Sequence, residues 1–324
     1  VNTTNQGNTV IGVDIGATHI RSGRISPTGK TDLLKKENLR QTCRTPDDVT
    51  RSVILAARDL LREDGAQQAA AIGIAAAGPL DLSSGAIVQS PNMPFERIEI
   101  SGPLRETFDL PVYLLNDCAA GALAEVVFGP LKGTDELVYI TMSSGIGAGV
   151  IAGGRLIAGS NGNAAEVGHM CVDSTYALPC GCGGNGHWEA YASGTAIPAF
   201  FRRWREMHLP GRIRHEHPSS APEVFKAIRE HKDFSGFTEA LAAVNGRGLS
   251  NVIAAYEPEH IVFDGPLIRE HADLLLGPMI ERTDRYLPLP RISISSLEGY
   301  APLLGAGAYA LEKRGLIGDV HCTL

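Results

Sequence analysis

The chain opens with one local design and then repeats it. An apolar run from Thr9 to Ile15 enters Gly16-Ala17-Thr18 and returns as a second β-like run from His19 to Ile25. Later, Leu137 to Met142 enters Ser143-Ser144-Gly145-Ile146-Gly147-Ala148-Gly149 and continues as a strand to Ile151. Strand, glycine-and-hydroxyl turn, strand, met twice, predicts two related lobes. At 324 residues the chain is long enough for each lobe to bury its own core.

The remaining signals are of α/β type. A third strand is expected over Thr31 to Glu37. Thr45-Pro46-Asp47-Asp48 is a helix start, with a capping hydroxyl, proline at the first helical position and acids in the first turn. Val49, Val53, Ile54, Ala57, Leu60 and Leu61 then form an apolar face at helical spacing, and the helix is expected to stop near Gly65. Ala69 to Ala75 reads as a wholly apolar strand, as in a sheet covered on both faces. Pro111 to Leu115 reads as another, ending in Asn116-Asp117 before a helix from Ala119 to Val127. In the second half, helices are expected over Asn245 to Tyr256, Leu267 to Tyr286 and Gly305 to Lys313, with strands over His260 to Asp264 and Ile292 to Ser295. Arg202 to Pro222, polar and rich in His and Pro, reads as a surface excursion, with His215-Glu216-His217 in a solvated loop.

Composition excludes several classes. A net charge of −7 argues against a nucleic-acid partner, which requires a basic surface. No apolar run approaches the roughly 18 residues of a membrane span. The stretch VNTTNQGN has neither the basic nor the apolar region of a secretory signal. Cysteines at 43, 118, 171, 180, 182 and 322 are scattered apart from one close pair, so they form no disulfide framework. A reducing, cytoplasmic setting is the expectation.

Three sets of residues carry chemistry. The first is the pair of turns. Asp14-Ile15-Gly16-Ala17-Thr18 and Ser143 to Gly149 are suited to phosphate oxygens, because glycine admits close approach and unpaired amides attract anions. Either alone is an ordinary β-turn; together they describe a cleft that grips a nucleoside triphosphate. Neither has the G-K-[ST] ending of a P-loop. The second set is Asn116-Asp117, at the carboxyl end of a parallel-type strand, the end that faces ligand in open α/β sheets. Asp117 there is either a proton acceptor for an attacking hydroxyl or the N-cap of the following helix.

The third set lies in AEVGHMCVDSTYALPCGCGGNGHWEAYASG, residues 165–194. His169, Cys180, Cys182 and His187 are the soft and borderline donors that a tetrahedral zinc prefers, in a glycine loop that can wrap an ion. Glu166 and Glu189 flank them. The reading is a structural zinc that stiffens a loop presenting acids to a polar ligand; the alternative is a glycine-rich surface loop with free thiols.

These segments resemble the ROK sugar kinases and repressors, a family of the actin/hexokinase/heat-shock ATPase superfamily. The resemblance rests on DIGATHI (14–20), GPLD (78–81), PNMP (91–94), LLNDCAAGALAE (114–125), SSGIGAG (143–149), AEVGH (165–169), CGCGGNGHWEAYASG (180–194) and FDGP (263–266). It implies two RNase-H-like lobes with ATP in the cleft between them and a hexose beneath it, the first lobe comprising 1–117 and 299–324 and the second, with the zinc loop, 118–298. It implies Asp117 as general base for the sugar 6-hydroxyl, and Gly78, Asn92, Asn116, Glu166, His169 and Glu189 as sugar contacts. Gly16, Thr18, Ser144, Gly145 and Gly147 would grip phosphate, with Mg²⁺ bound through the phosphates near Asp14 and Gly265 near the adenosine. A homodimer or homotetramer is the family expectation.

Three positions depart from the family pattern. His187 replaces the third cysteine of the zinc motif, Ser143 replaces a glycine of the second turn, and Asp264 stands where glycine is usual. The expected activity is ATP-dependent phosphorylation of glucose. N-acetylmannosamine or N-acetylglucosamine is the alternative substrate. A sugar-sensing protein without catalysis is the alternative of a different class. Repressors of the family carry a helix-turn-helix of several dozen residues ahead of the first lobe, whereas here 13 residues precede Asp14.

Overall fold

The computed structural model of the chain describes residues 9–62, 69–90, 93–209 and 218–318. They divide into two compact units. The first draws on Val1–Tyr139, Gly149–Ala165 and Ser295–Leu324, the second on Ile140–Ala148 and Glu166–Ile294.

The first five-stranded sheet is built from β1 (Val10–Ile15), β2 (His19–Ile25), β3 (Thr31–Asn38), β4 (Ile72–Ala76) and β8 (Val112–Asn116), in the order β3-β2-β1-β4-β8. β1 runs antiparallel to β2 and parallel to β4. Between β4 and β8, the short strands β5 (Leu80–Asp81), β6 (Ala86–Val88) and β7 (Arg97–Glu99) make a small antiparallel sheet. The second five-stranded sheet takes β9 (Leu137–Met142), β10 (Ile146–Ala152), β11 (Arg155–Leu156), β12 (His260–Asp264) and β13 (Arg291–Ile294), in the order β11-β10-β9-β12-β13. Numbered by their own strands, both sheets read 3-2-1-4-5. The repeat seen in the sequence is therefore a repeat of topology.

The helices are α1 (Leu39–Thr42), α2 (Pro46–Arg62), α3 (Ser101–Phe108), α4 (Asp117–Val127), α5 (Glu189–Ala192), α6 (Ile197–His208), α7 (Ala221–Glu230), α8 (Ser235–Tyr256), α9 (Pro266–Glu270), α10 (Ala272–Glu281) and α11 (Ala301–Lys313). None is long and apolar enough to cross a membrane.

Alternation along β1 sends side chains to two cores. Ile11, Val13 and Ile15 join Val49, Val53, Ala57 and Leu60 of α2 and Leu104 of α3. Val10, with Ile25 and Ala71, joins Leu303, Ala310 and Leu311 of α11. A sheet buried on both faces is why β1 and β4 are nearly free of polar residues. At the start of α2, Thr45 Oγ1 accepts from the Asp48 amide at 3.2 Å and the Asp48 carboxylate accepts from the Thr45 amide at 2.8 Å. This reciprocal cap satisfies donors that the first turn leaves open.

Close backbone approach fixes α11. A Cβ on Gly305 would lie 1.7 Å from the Ala120 carbonyl oxygen of α4, and one on Gly73 would lie 2.0 Å from that of Ala306. Through α4, residues 118–139 pack with the first unit, whereas the sequence reading gives them to the second lobe.

Other elements differ in extent. α8 begins at Ser235, not Asn245, because Phe237 and Leu241 supply a buried face to its first half. The expected helix over Leu267 to Tyr286 is broken at His271 into α9 and α10, and ends at Glu281. Arg202 to His208 is helical in α6, because Phe200, Phe201 and Trp204 form an apolar stripe beneath its arginines. Gly65 and His215-Glu216-His217 lie outside the described residues.

Since the atoms a new methyl would meet are backbone, Gly305→Ala should force α11 off α4. The expected loss is about 1–3 kcal/mol of stability, the usual cost of overpacking. Denaturant unfolding checks it.

Candidate active site

In the first unit, polar groups gather where parallel strands end. Asp14 sits near the end of β1, directly opposite Arg21 of β2. Asp14 is buried, and its Oδ2 accepts from Arg21 Nη1 at 3.1 Å. The same Nη1 donates to the Gly299 carbonyl at 2.9 Å, just ahead of α11. Burial pushes the Asp14 carboxyl up to about 7; Arg21 opposes that shift and the neighbouring Asp117 adds to it. The hairpin closes through the Gly16 amide, which donates to the His19 carbonyl at 2.9 Å, so this amide serves the turn itself. The Thr18 carbonyl accepts from Leu39 at 2.8 Å, while the Thr18 residue is exposed.

At the end of β8 the two roles read for Asp117 separate. Asn116 is the N-cap of α4: its Oδ1 accepts from the Cys118 and Ala119 amides at 2.9 and 3.2 Å. Asp117 is the first helical residue, and its Oδ1 accepts from Cys118 N at 2.8 Å. Removal from water raises the Asp117 carboxyl above the usual range, opposed by the hydrogen bond from Cys118. Gly78 follows β4 and joins Pro79 through a cis peptide. Asn92 lies outside the described residues. Asn163 was not singled out in the sequence. Its Oδ1 accepts from the Leu80 amide at 2.7 Å and its Nδ2 donates to the Leu80 carbonyl at 2.8 Å, fixing the strand that follows Gly78-Pro79. A lone asparagine in AGSNGNAA carries no local signal of that contact.

In the second unit, His169, Cys180, Cys182 and His187 converge. One donor atom from each lies within 4.8 Å of all the others. Cys180 Sγ is 3.6 Å from His169 Nδ1, and Cys182 Sγ is 3.2 Å from His187 Nδ1. A tetrahedral ion with bonds of about 2.0–2.3 Å spaces its ligands by roughly this much, and two sulfurs with two imidazole nitrogens suit zinc. Burial holds the Cys180 thiol up at about 11, so it stays neutral at pH 7 until a cation displaces its proton. The loop is shaped by glycine: a Cβ on Gly184 would lie 2.3 Å from the His187 ring. His169 turns its other nitrogen, Nε2, toward Glu166 Oε2 at 4.0 Å.

Glu189 Oε2 accepts from the Ile146 amide at 2.8 Å, which ties the segment after His187 to the second glycine turn. Within that turn, Ser143 N donates to the Gly145 carbonyl at 2.9 Å. Ser144, Gly145 and Gly147 all lie on this turn or at the start of β10. Gly265, at φ +99°, leads into α9, and a Cβ there would lie 2.4 Å from the Met142 carbonyl. Asp264, the departure beside it, is buried; its Oδ1 accepts from the Gly265 amide and from Arg269 Nε, both at 2.6 Å.

The sequence matches the ROK family over residues 10–313, a span that contains every candidate site residue. The chain belongs to the ROK family. It is 37% identical over 287 residues to the glucokinase of Aeropyrum pernix, covering 84% of this chain and 86% of that one. Among solved structures, the ROK hexokinase from Thermus thermophilus superposes with a TM-score of 0.78 at 28% identity, covering 95% and 99% of the two chains. A ROK family glucokinase from Streptomyces griseus, solved with glucose and AMPPNP, gives 0.75 at 28% identity, covering 94% and 99%. The repeated 3-2-1-4-5 sheets of this ROK protein are thus the two RNase-H-like sheets of the actin-like ATPase fold.

The raised Asp14 has a consequence for stability. Its folded value, about 7, exceeds the ordinary 3.8, so between those values the folded state binds more protons and stability falls as pH rises. Asp14→Asn removes that penalty. Measured without divalent cation, its stability relative to the unaltered protein should be least favourable near pH 4 and improve by pH 8. The gain is on the order of 4 kcal/mol as an upper bound. A difference in melting temperature that does not change with pH would contradict the assignment.

Proposed function

We propose that this ROK protein transfers the γ-phosphoryl group of ATP to the 6-hydroxyl of glucose. It is a hexose kinase. The observation that carries the mechanism is the division of labour at the end of β8: Asn116 caps α4, which leaves Asp117 on its first turn as the base. Its raised carboxyl is a stronger base than a solvated aspartate, and it accepts the hydroxyl proton as the sugar oxygen attacks. The hydroxyl of Thr18, with Ser144 and the glycines at 145 and 147, holds phosphate oxygens, and Asp14 lies by the phosphate-bound Mg²⁺. Glu166, His169 and Glu189, with Gly78, Asn92 and Asn116, contact the sugar. An uncharged hexose offers only hydroxyls, and carboxylates are the acceptors that recognise several at once. Gly265 borders the adenosine.

His169, Cys180, Cys182 and His187 hold a structural zinc that keeps this loop ordered before sugar arrives, so that little conformational entropy is lost on binding.

Relative kcat/KM over glucose, N-acetylmannosamine, N-acetylglucosamine and other hexoses tests the substrate. Glucose should lead, and no ATP consumption with any sugar would make the protein a sensor. Asp117→Asn should retain glucose binding and lower kcat by about 10²–10⁴; turnover within tenfold of the unaltered enzyme removes Asp117 from the role of base.

Elemental analysis should find about one zinc per chain, and Cys182→Ser should lower both zinc content and glucose affinity. Because two thiols must lose protons, zinc affinity should rise with pH. Purified protein without zinc, and indifferent to added zinc, would leave the thiols unligated.

A further inference from the structure

The two imidazole donors of the metal centre each adjoin backbone seated on the second glycine turn. Beside His169, Gly168 lies so close to β10 that a Cβ on it would be 2.1 Å from the Ile146 carbonyl oxygen. Beyond His187, three bonds reach the turn within eight residues. Glu189 Oε2 accepts from Ile146 N at 2.8 Å. Gly194 N donates to the Ser143 carbonyl at 2.8 Å. Thr195 Oγ1 donates to the Ser144 carbonyl at 2.7 Å. The connection between them is stiff: α5 is a single turn whose Ala190, Tyr191 and Ala192 are buried, and Ser193 is fully buried. Ser193 Oγ sits 3.2 Å from Thr195 Oγ1 and fixes the hydroxyl that donates. The cysteine arm is held differently. Cys180 N donates to Gly184 O and Gly183 N to Cys180 O, a local turn that closes on itself. Closing the centre therefore fixes His169 and His187, and through their neighbours the carbonyls of Ser143 and Ser144.

We propose that Thr195 is a positioning residue that, with Glu189 and Gly194, couples the metal centre to the phosphate turn, so that filling the centre raises nucleotide affinity. This rests on the kinase reading above. Coupling of this kind is reciprocal, so bound nucleotide also tightens the hold on zinc.

The test is calorimetric binding of a non-hydrolysable ATP analogue with Mg²⁺, to zinc-loaded and zinc-stripped protein, for the unaltered chain, Thr195→Val and Thr195→Ser. Valine keeps the shape and removes the donor; serine keeps the donor. Stripping should weaken nucleotide binding to the unaltered protein by about fivefold or more. Thr195→Val should weaken it in the loaded protein by roughly 2–10-fold, the worth of one hydrogen bond. Thr195→Ser should bind like the unaltered protein. In Thr195→Val, stripping should cost less than in the unaltered chain, because the two changes remove one pathway. Equal affinity of loaded and stripped unaltered protein overturns the coupling, and effects that simply multiply overturn Thr195 as its route. If stripping unfolds the chain, seen by circular dichroism, the loaded valine and serine variants decide, and equal binding by both rejects the assignment. Loaded unaltered protein that binds no analogue sinks the kinase reading instead.

Discussion

A sheet covered on both faces cannot carry a charge in its middle. Removing an ion from water costs several kcal/mol even after relaxation, so β1, β4 and β8 present Val, Ile, Leu, Ala and Gly to their helices. Along these strands carboxyl and amide side chains are admitted only where a strand runs out; Tyr113, within β8, meets Tyr309 of α11 through its ring. Asp14 comes one residue before the end of β1, Asn116 is the last residue of β8, and Asp117 opens α4. These polar groups stand at the strand ends because the core on both sides excludes them everywhere else. The same burial that selects their location also sets their protonation. It raises both carboxyls, and so turns weak bases into stronger ones.

Two carboxyls near enough to repel each other need a cation, and Arg21 supplies it through the pairing of β1 with β2. Because Arg21 Nη1 also donates to the Gly299 carbonyl, the charge that stabilises Asp14 is fixed by the segment that precedes α11. α11 in turn lies on β4 and α4 at distances that only glycine allows. The position of Asp117 at the head of α4 and the ionisation of Asp14 thus depend on one tightly packed helix far along the chain.

Local rules made much of this legible. The repeated strand-turn-strand opening predicted two related lobes, and Thr45-Pro46 predicted the first residue of α2. The Cys/His spacing predicted four donors that the fold does bring together. What stayed hidden depends on distant partners. The first half of α8 looks polar until Phe237 and Leu241 are seen to be buried, and α6 looks like a loop until Phe200, Phe201 and Trp204 meet Phe237. Asn163 acts on Leu80 and Thr195 on Ser144, contacts separated by 83 and 51 residues that no short pattern records. Arg21 was within reach. Four residues, 16–19, separate Ile15 from its partner Ile20, which sets Asp14 opposite Arg21, and only the register had to be counted.

The replacement at His187 fits the charges around it. With the proposed zinc bound, two thiolates and two neutral imidazoles would balance its charge, whereas a third thiolate in place of His187 would leave the centre negative. Glu166 lies 4.0 Å from one imidazole, and Glu189 follows the other by two residues. A negative centre would repel both carboxylates. A neutral centre would order the loop without opposing the charge of the acids beside it. The imidazole at 187 also contributes shape: its ring stands edge-on to that of His169, with centroids 5.5 Å apart, over a glycine that leaves room for it. Histidine in place of a cysteine at 187 thus keeps a fourth donor in the group while removing one negative charge from beside the acids.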